Sequence, residues 1–176
     1  MSESIELAAP EDDKPARYAE LLPQLRALVD GEPDLVANLA NITAALRVCL
    51  PVASWVGFYV RRPKRSAAAD AGEREDELVL GPFQGKVACV RIALGRGVCG
   101  TAAAERRTVI VADVDQFPGH IACDAGSRSE IVVPIVRDGR VVAVLDVDSY
   151  ELAAFDAEDA RGLEQVAQLA ATLDWE

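Results

Sequence analysis

Two apolar runs joined by a two-residue turn constrain the fold more than any other part of the chain. Residues 130–137 (EIVVPIVR) and 140–149 (RVVAVLDVDS) are rich in β-branched residues, and only Asp138-Gly139 separates them. A two-residue Asp-Gly connection is among the strongest sequence signals for a β-hairpin. The chain is therefore expected to contain an antiparallel sheet that includes this hairpin.

Helical periodicity flanks the strand-like segments at both ends of the chain, because apolar residues recur there at intervals of three and four. About six strands joined mainly by hairpins, with helices from both termini on one face, predict an α+β fold whose other face carries loops. The predicted helices are 16–29, 34–50 and 155–175, the predicted strands are 54–62, 77–83, 86–94, 108–114, 130–137 and 140–149, and a short helical segment is 101–107.

Length and composition fit one globular domain. The chain has 176 residues, and 51% of them are apolar, which is enough for a full core. We expect residues 1–14 to form a flexible acidic N-terminus and residues 15–176 to form a single domain. Residues 63–76 (PKRSAAADAGERED) show no periodicity and predict a long, mobile hairpin loop.

The charge balance excludes some classes of partner. The net charge is −11, whereas binding to nucleic acid or to an anionic membrane needs clustered Lys and Arg. The sequence has no apolar run long enough for a membrane span, and its first residues lack the pattern of a secretory signal. A cytoplasmic location is therefore expected.

One glycine-rich segment resembles a dinucleotide-binding fingerprint by its letters alone. Gly95, Gly97 and Gly100 have the G-x-G-x-x-G spacing after a predicted strand. A parallel crossover usually needs ten or more residues, and only about seven separate Gly100 from the next predicted strand. We therefore interpret these glycines as allowing a tight turn that brings Cys99 close to another group.

The residues best suited to chemistry in this sequence are its four cysteines: Cys49, Cys89, Cys99 and Cys123. No C-x-x-C pair occurs, and cytoplasmic cysteines are expected to be reduced at rest. Cys49 lies on the apolar stripe of a predicted helix and is interpreted as core. The other three suggest either thiol redox chemistry or, together with His120, a zinc site.

Acidic residues are the second candidate group. Asp146 and Asp148 alternate along their predicted strand, so both lie on one face with Val144. Two carboxylates on one face repel each other, so one of them is expected to hold a proton. Glu130, at the start of a strand, and Asp113, at the end of another, are further candidates.

Two aromatic residues and the single histidine complete the candidate set. Trp55 and Tyr59 share one face of their predicted strand, where they either pack in the core or contact a sulfur-containing ligand. His120 lies three residues before Cys123, and it either lowers the pKa of that thiol or supports the loop.

Six ordered motifs give the chain a specific family resemblance, which runs from about residue 18 to residue 163. It resembles the free methionine-(R)-sulfoxide reductases, which are single GAF-domain enzymes. The loop 63–76 is longer than is usual in that family. The motifs are WVGFY at 55–59, LGPFQGKVAC at 80–89, GRGVCGTA at 95–102, FPGHIACD at 117–124, SRSEIVVP at 127–134 and VLDVDS at 144–149.

The resemblance implies cysteine redox chemistry without a cofactor. Cys123 would attack the sulfoxide and become a sulfenic acid, with Cys99 as the alternative nucleophile. Cys89 or Cys99 would then form a disulfide that thioredoxin reduces. The resemblance also makes a homodimer plausible.

The same resemblance implies roles for the polar and aromatic candidates. One acid among Glu130, Asp146, Asp148 and Asp113 would protonate the sulfoxide oxygen, and another would pair with the ammonium of the free amino acid. Trp55 and Tyr59 would face the methyl group. The alternatives are a GAF module that senses a small ligand without catalysis and a zinc-stabilised structural domain.

Overall fold

The computed structural model describes residues 4–64, 75–121 and 123–175. Within these residues it contains four α-helices, one short 3₁₀ helix and a six-stranded sheet. The α-helices are α1 (Lys14–Val29), α2 (Leu35–Cys49), α3 (Gly97–Glu105) and α4 (Ala157–Ala171); the strands are β1 (Ala53–Pro63), β2 (Asp76–Gln84), β3 (Arg91–Ala93), β4 (Val109–Val111), β5 (Ser129–Arg137) and β6 (Arg140–Ser149); the 3₁₀ helix is Val114–Gln116.

The sheet is antiparallel throughout, in the order β3-β2-β1-β6-β5-β4. Strands β5 and β6 form the predicted hairpin, and both turn residues have positive φ, 50° at Asp138 and 74° at Gly139. These angles suit the right-handed twist of the two strands. The predicted α+β class is confirmed.

One face of the sheet carries the main apolar core. Helices α2 and α4 pack on this face and α1 packs against both of them, so helices from both termini contribute to this core as predicted. Leu145 and Val147 of β6 point into this core, whereas Val144 lies in the cluster on the opposite face. The period of two along β6 therefore separates the apolar core from the face that carries the aspartates.

The two terminal helices interlock at one residue. Gly162 of α4 lies against the ring of Tyr18 on α1, and a Cβ at this glycine would overlap the ring. The Tyr18 hydroxyl donates a hydrogen bond to Asp159 at 3.2 Å, and Lys14 pairs with the same carboxylate. Helix α4 therefore holds α1 in place by both shape and charge.

Helix α3 crosses the second face of the sheet. It connects β3 at one edge to β4 at the other edge, so it does not link neighbouring parallel strands. The dinucleotide fingerprint therefore lacks its structural context. Gly100 allows α3 to lie close to the end of β3, because a Cβ at this position would overlap the carbonyl oxygen of Ala93.

The predicted strand 86–94 is wrong for most of its length, since only Arg91–Ala93 pairs with β2. The segment 87–89 has no regular structure, and its backbone carbonyl at Cys89 accepts a hydrogen bond from the Tyr59 hydroxyl. A side chain therefore satisfies a group that a neighbouring strand would otherwise pair. The sequence of this segment alternates as in a β-strand, but most of the segment has no neighbouring strand to pair with in the described structure.

Two further predictions concern the N-terminal segment and the long loop. Ile5 and Leu7 pack against the main core, within the segment that was predicted to be flexible. The predicted mobile loop 63–76 falls mainly on residues 65–74, which lie outside the described residues. No helix in the described part of the chain is long and apolar enough to cross a membrane.

Candidate functional site

A cavity opens on the second face of the sheet, where the loop after β2, the start of α3 and the loop before β5 meet. The empty space in the cavity, together with the open solvent at its mouth, amounts to about 540 Å³. The lining includes eight of the residues singled out by the sequence: Trp55, Tyr59, Cys99, His120, Cys123, Glu130, Asp146 and Asp148.

Two of the three cysteines that were predicted to converge meet at the mouth of the cavity. Cys89 and Cys123 form a disulfide across 34 positions of sequence, with their Cα atoms 5.5 Å apart. The chain therefore carries one oxidised pair rather than four reduced thiols. The four-residue zinc site is not formed in this state, because two of its sulfur atoms are bonded to each other.

Cys99 occupies a different environment. It lies in the first turn of α3, not in an open turn, and its side chain is buried. Its Sγ is 4.0 Å from the Glu130 Oε1 atom. Burial raises the pKa of the Cys99 thiol well above its usual range, and the nearby charges of Asp146 and Glu130 raise it further. Cys99 is therefore held as a thiol at neutral pH.

Three carboxyl groups line the same cavity because of strand register. Glu130 of β5 lies directly opposite Asp148 of β6, and Asp146 lies two residues before it on the same face. Burial raises the pKa of each carboxyl well above its usual range. Repulsion between the carboxylates raises these pKa values further. The charge of Asp148 raises the pKa of Glu130, that of Glu130 raises the pKa of Asp146, and that of Asp146 raises the pKa of Asp148.

Asp146 also leaves one atom unsatisfied. Its Oδ1 atom is buried and has no hydrogen-bond partner among the described residues. A buried carboxylate oxygen without a partner is costly, so the site favours either a proton or a ligand at this position. The predicted protonated acid therefore has a physical basis at Asp146.

His120 approaches the same acids from the loop. Its Nε2 atom is 3.6 Å from Glu130 Oε2, and its side chain is largely buried. A protonated imidazole at this distance would offset part of the negative charge of the carboxyl cluster. Among the described residues, the contact shown for the His120 ring is with this acid.

The two aromatic residues form one wall and also hold a loop. Trp55 lies near the rings of Phe83 and Tyr59, with centroid distances of 5.4 and 6.0 Å. Its indole N–H donates to the Lys86 carbonyl at 3.0 Å, and the Tyr59 hydroxyl donates to the Cys89 carbonyl at 3.0 Å. Both side chains therefore fix the segment that carries Cys89.

A glycine makes room for this wall. A Cβ at Gly57 would overlap both the Trp55 ring and the Phe83 Cβ atom. Only a residue without a side chain leaves room for the indole at this point. The WVGFY motif therefore needs its central glycine for the shape of the cavity.

The structure does not bring Asp113 to the cavity, so its assignment to the site is corrected. Its carboxylate accepts a hydrogen bond from the Asp115 backbone N–H at 3.1 Å and caps the 3₁₀ helix. An aspartate that ends a strand before a short helix is a common cap. The sequence position alone did not distinguish a cap from a binding residue.

Two charged lining residues were missed by the sequence reasoning. Arg96, the residue before α3, and Asp124, the residue after Cys123, both line the cavity. Each is adjacent in sequence to a motif glycine or cysteine, which was the available signal. Among the described residues, Arg96 forms no ion pair.

The described residues also contain one possible set of metal ligands. Atoms of Cys99, Glu130 and Asp146 all lie within 4.8 Å of one another. A cation would have to displace protons from these groups, because burial raises the pKa of all three. The donor set therefore suits proton transfer at neutral pH better than resident metal binding.

Comparison with known proteins shows the family to which the chain belongs. The GAF domain family matches residues 33–173. GAF domain-containing protein A of Dictyostelium discoideum is 47% identical over 169 residues, which cover 96% of this chain and 98% of that one. The free methionine-R-sulfoxide reductase of Escherichia coli (strain K12) is 48% identical over 153 residues, which cover 86% of each chain.

A solved structure extends the similarity to three dimensions. The X-ray structure of the free methionine-R-sulfoxide reductase of Neisseria meningitidis in complex with its substrate superposes with a TM-score of 0.85. The two chains are 49% identical, and the match covers 97% of this chain and 94% of that one. This protein therefore belongs to the GAF-domain family of free methionine-(R)-sulfoxide reductases.

Proposed function

We propose that this protein reduces free methionine-(R)-sulfoxide to methionine through Cys123 and restores that residue through a disulfide with Cys89. The observation that carries the proposal is a disulfide at the mouth of a cavity lined by three buried carboxyl groups. Two of the relatives that match this chain over most of its length are named as free methionine-R-sulfoxide reductases.

The first step transfers the sulfoxide oxygen to the enzyme. The Cys123 sulfur attacks the sulfoxide sulfur, a buried acid protonates the departing oxygen, and the net products are methionine and a Cys123 sulfenic acid. Asp146 and Glu130 suit the acid role because burial raises the pKa of both carboxyl groups well above their usual range.

Exposure distinguishes the two candidate nucleophiles. Cys123 is exposed at the cavity mouth, whereas Cys99 is buried and its thiol pKa is raised by burial and by two neighbouring acids. The thiolate is the reactive form, so Cys123 is the better nucleophile. Cys99 then serves as an uncharged wall beside Glu130.

The second step releases the oxygen as water. The Cys89 thiol attacks the Cys123 sulfenic acid, the S–O bond breaks, and the S–S bond of the disulfide forms. A dithiol protein such as thioredoxin then reduces this disulfide and returns both cysteines to thiols. The Cys89–Cys123 disulfide of this structure supports that step.

Selectivity for the free amino acid follows from its two charges. One carboxylate of the cluster pairs with the substrate ammonium, which a residue inside a peptide lacks. Arg96 and the backbone N–H groups at the start of α3 line the same cavity and suit the substrate carboxylate. Trp55 and Tyr59 supply an apolar surface for the methyl group.

The cellular setting follows from the same chemistry. A cytoplasmic location supplies thioredoxin and free amino acids, and the net charge of −11 disfavours nucleic acid and anionic membranes as partners. The reaction needs no organic cofactor, because cysteine supplies the electrons. A homodimer through the terminal helices completes the proposal.

A coupled assay tests the function. The protein, thioredoxin, its reductase and NADPH are incubated with each sulfoxide epimer of free methionine, and NADPH loss is followed. We expect turnover only with the R epimer. Binding of the R epimer without turnover would favour the ligand-sensing alternative.

Cysteine variants test the assignment of roles. Cys123→Ser should release no methionine, while Cys89→Ser should release one equivalent and stop at a sulfenic acid that dimedone traps. Cys49→Ser is the matched control and should retain activity. A full methionine burst from Cys123→Ser would overturn the assignment.

A further inference from the structure

Three side chains connect the two loops that carry the disulfide. Lys86 Nζ lies 3.1 Å from Asp124 Oδ2, and the Tyr150 hydroxyl donates to the same oxygen at 2.7 Å. The Lys86 ammonium also lies 5.0 Å from the centroid of the Tyr150 ring. We call Lys86, Asp124 and Tyr150 the clasp.

Each member of the clasp belongs to a different part of the site. Lys86 comes three residues before Cys89, Asp124 comes directly after Cys123, and Tyr150 follows the end of β6. The Lys86 carbonyl is also held by the Trp55 indole. The clasp therefore ties both cysteine loops to each other and to the rigid sheet.

The Asp124 carboxylate is well arranged to hold these partners. Its Oδ1 atom accepts the Gly126 backbone N–H at 3.0 Å, while Oδ2 receives Tyr150 and Lys86. The Gly126 N–H, the Tyr150 hydroxyl and Lys86, in that order, lower the pKa of Asp124 to about 2. The carboxylate is therefore charged throughout the physiological range.

Gly126 adapts the loop to the tyrosine ring. A Cβ at Gly126 would lie 2.9 Å from the Tyr150 Cε1 atom, which is too close for an ordinary contact. The Cys123 loop therefore packs directly on Tyr150 as well as binding it. An exposed ion pair alone contributes little, but several partners on one carboxylate form a network.

We propose that the clasp is a positioning device that holds Cys89 against Cys123 and so speeds disulfide formation, an inference that rests on the proposed function of this site. In that step the Cys89 thiol attacks the Cys123 sulfenic acid, an S–S bond replaces the S–O bond, and water leaves. The clasp raises the effective concentration of one sulfur at the other. It takes no part in the transfer of oxygen from the sulfoxide.

Single-turnover kinetics separate the two steps. The Lys86→Met variant of the reduced protein should release methionine from free methionine-(R)-sulfoxide at the wild-type rate but form the disulfide about threefold to tenfold more slowly. Lys86→Arg, which keeps the cation, should restore most of the rate. Tyr150→Phe should slow disulfide formation in the same direction. Equal slowing of both steps by Lys86→Met would overturn the proposal.

A control ion pair excludes a general effect of surface charge. Lys64 pairs with Glu75 at 3.2 Å, and both are exposed and absent from the cavity lining. Lys64→Met should leave both steps unchanged. Raising the salt concentration should slow disulfide formation in the wild type but not in Lys86→Met, because salt screens exposed charges.

A redox equilibrium tests the clasp without any sulfoxide. Wild type and Lys86→Met are equilibrated in dithiothreitol buffers of graded ratio, and the disulfide fraction is measured by maleimide gel shift. The variant disulfide should be about threefold to tenfold easier to reduce. An unchanged equilibrium would overturn the proposal. Absence of methionine release by the wild type would instead overturn the proposed function and leave this measurement valid.

Discussion

At the scale of single residues, Asp146 joins burial to chemistry. Its Oδ1 atom is buried and has no hydrogen-bond partner among the described residues. Burial, and to a smaller extent the charge of Glu130, raises the pKa of its carboxyl well above the usual range. Such an arrangement is expensive for the fold, and strained or unsatisfied groups concentrate at functional sites. Asp146 therefore fits a role in proton donation better than a role in stability.

Arg96 supports a prediction at the same scale. If its guanidinium binds the substrate carboxylate, Arg96→Met should raise KM about tenfold or more with little change in kcat. The reason is that a hydrogen bond of equal strength in the bound substrate complex and in the transition state affects binding alone. Steady-state kinetics with free methionine-(R)-sulfoxide measure this split. Arg106→Met, at an exposed site beyond α3, is the matched control. A fall in kcat at unchanged KM would contradict the assignment.

At the scale of elements, the position of α4 on α1 depends on one small residue. Gly162 lies against the Tyr18 ring, where a Cβ would overlap ring atoms. Gly162→Ala should therefore destabilise the protein by about 1–3 kcal/mol, although alanine favours helices. Urea unfolding measures the change, with Gln168→Ala on the exposed face of α4 as control. A stabilised variant would show that the helices can move apart at no cost.

The loops that carry the cysteines are held in place by side chains, whereas the helices and strands are held by backbone hydrogen bonds. The segment before β3 is fixed by the side chains of Trp55 and Tyr59, and the loop before β5 is fixed by the clasp. Both arrangements use side chains to bind loop backbone or loop carboxylate. The sheet thus supplies rigid supports, while irregular segments carry the two cysteines of the disulfide.

At the scale of the whole molecule, the buried acids link stability to pH. A carboxyl whose pKa is higher in the folded than in the unfolded state favours folding only while it is protonated. Below about pH 4, the usual carboxyl pKa, both states hold the proton, and no penalty arises. Above that pH the unfolded chain loses its proton more readily, so the free energy of unfolding falls as pH rises.

Asp146→Asn removes this dependence at one site. At pH 7 the variant should be more stable than the wild type by about 1–3 kcal/mol, and the difference should disappear near pH 4. Urea unfolding across this pH range measures it. The exposed control Asp138→Asn should change stability by less than about 0.5 kcal/mol at either pH. A gain that is independent of pH would contradict the linkage.

The sequence by itself determined the order of elements, the β5–β6 hairpin and the shared face of Asp146 and Asp148. These features depend on neighbours two to four residues apart, so local periodicity and turn chemistry specify them. The family resemblance added the set of reactive cysteines, because its motifs keep three of them in register.

Only the tertiary structure decided which cysteines pair, because 34 residues separate Cys89 from Cys123 and irregular loops carry both. It also placed Asp113 at a helix cap, buried Cys99 beside Glu130 and gave Lys86 a partner in another loop. Contacts between distant segments are set by packing across the whole sheet, which no short window of sequence contains.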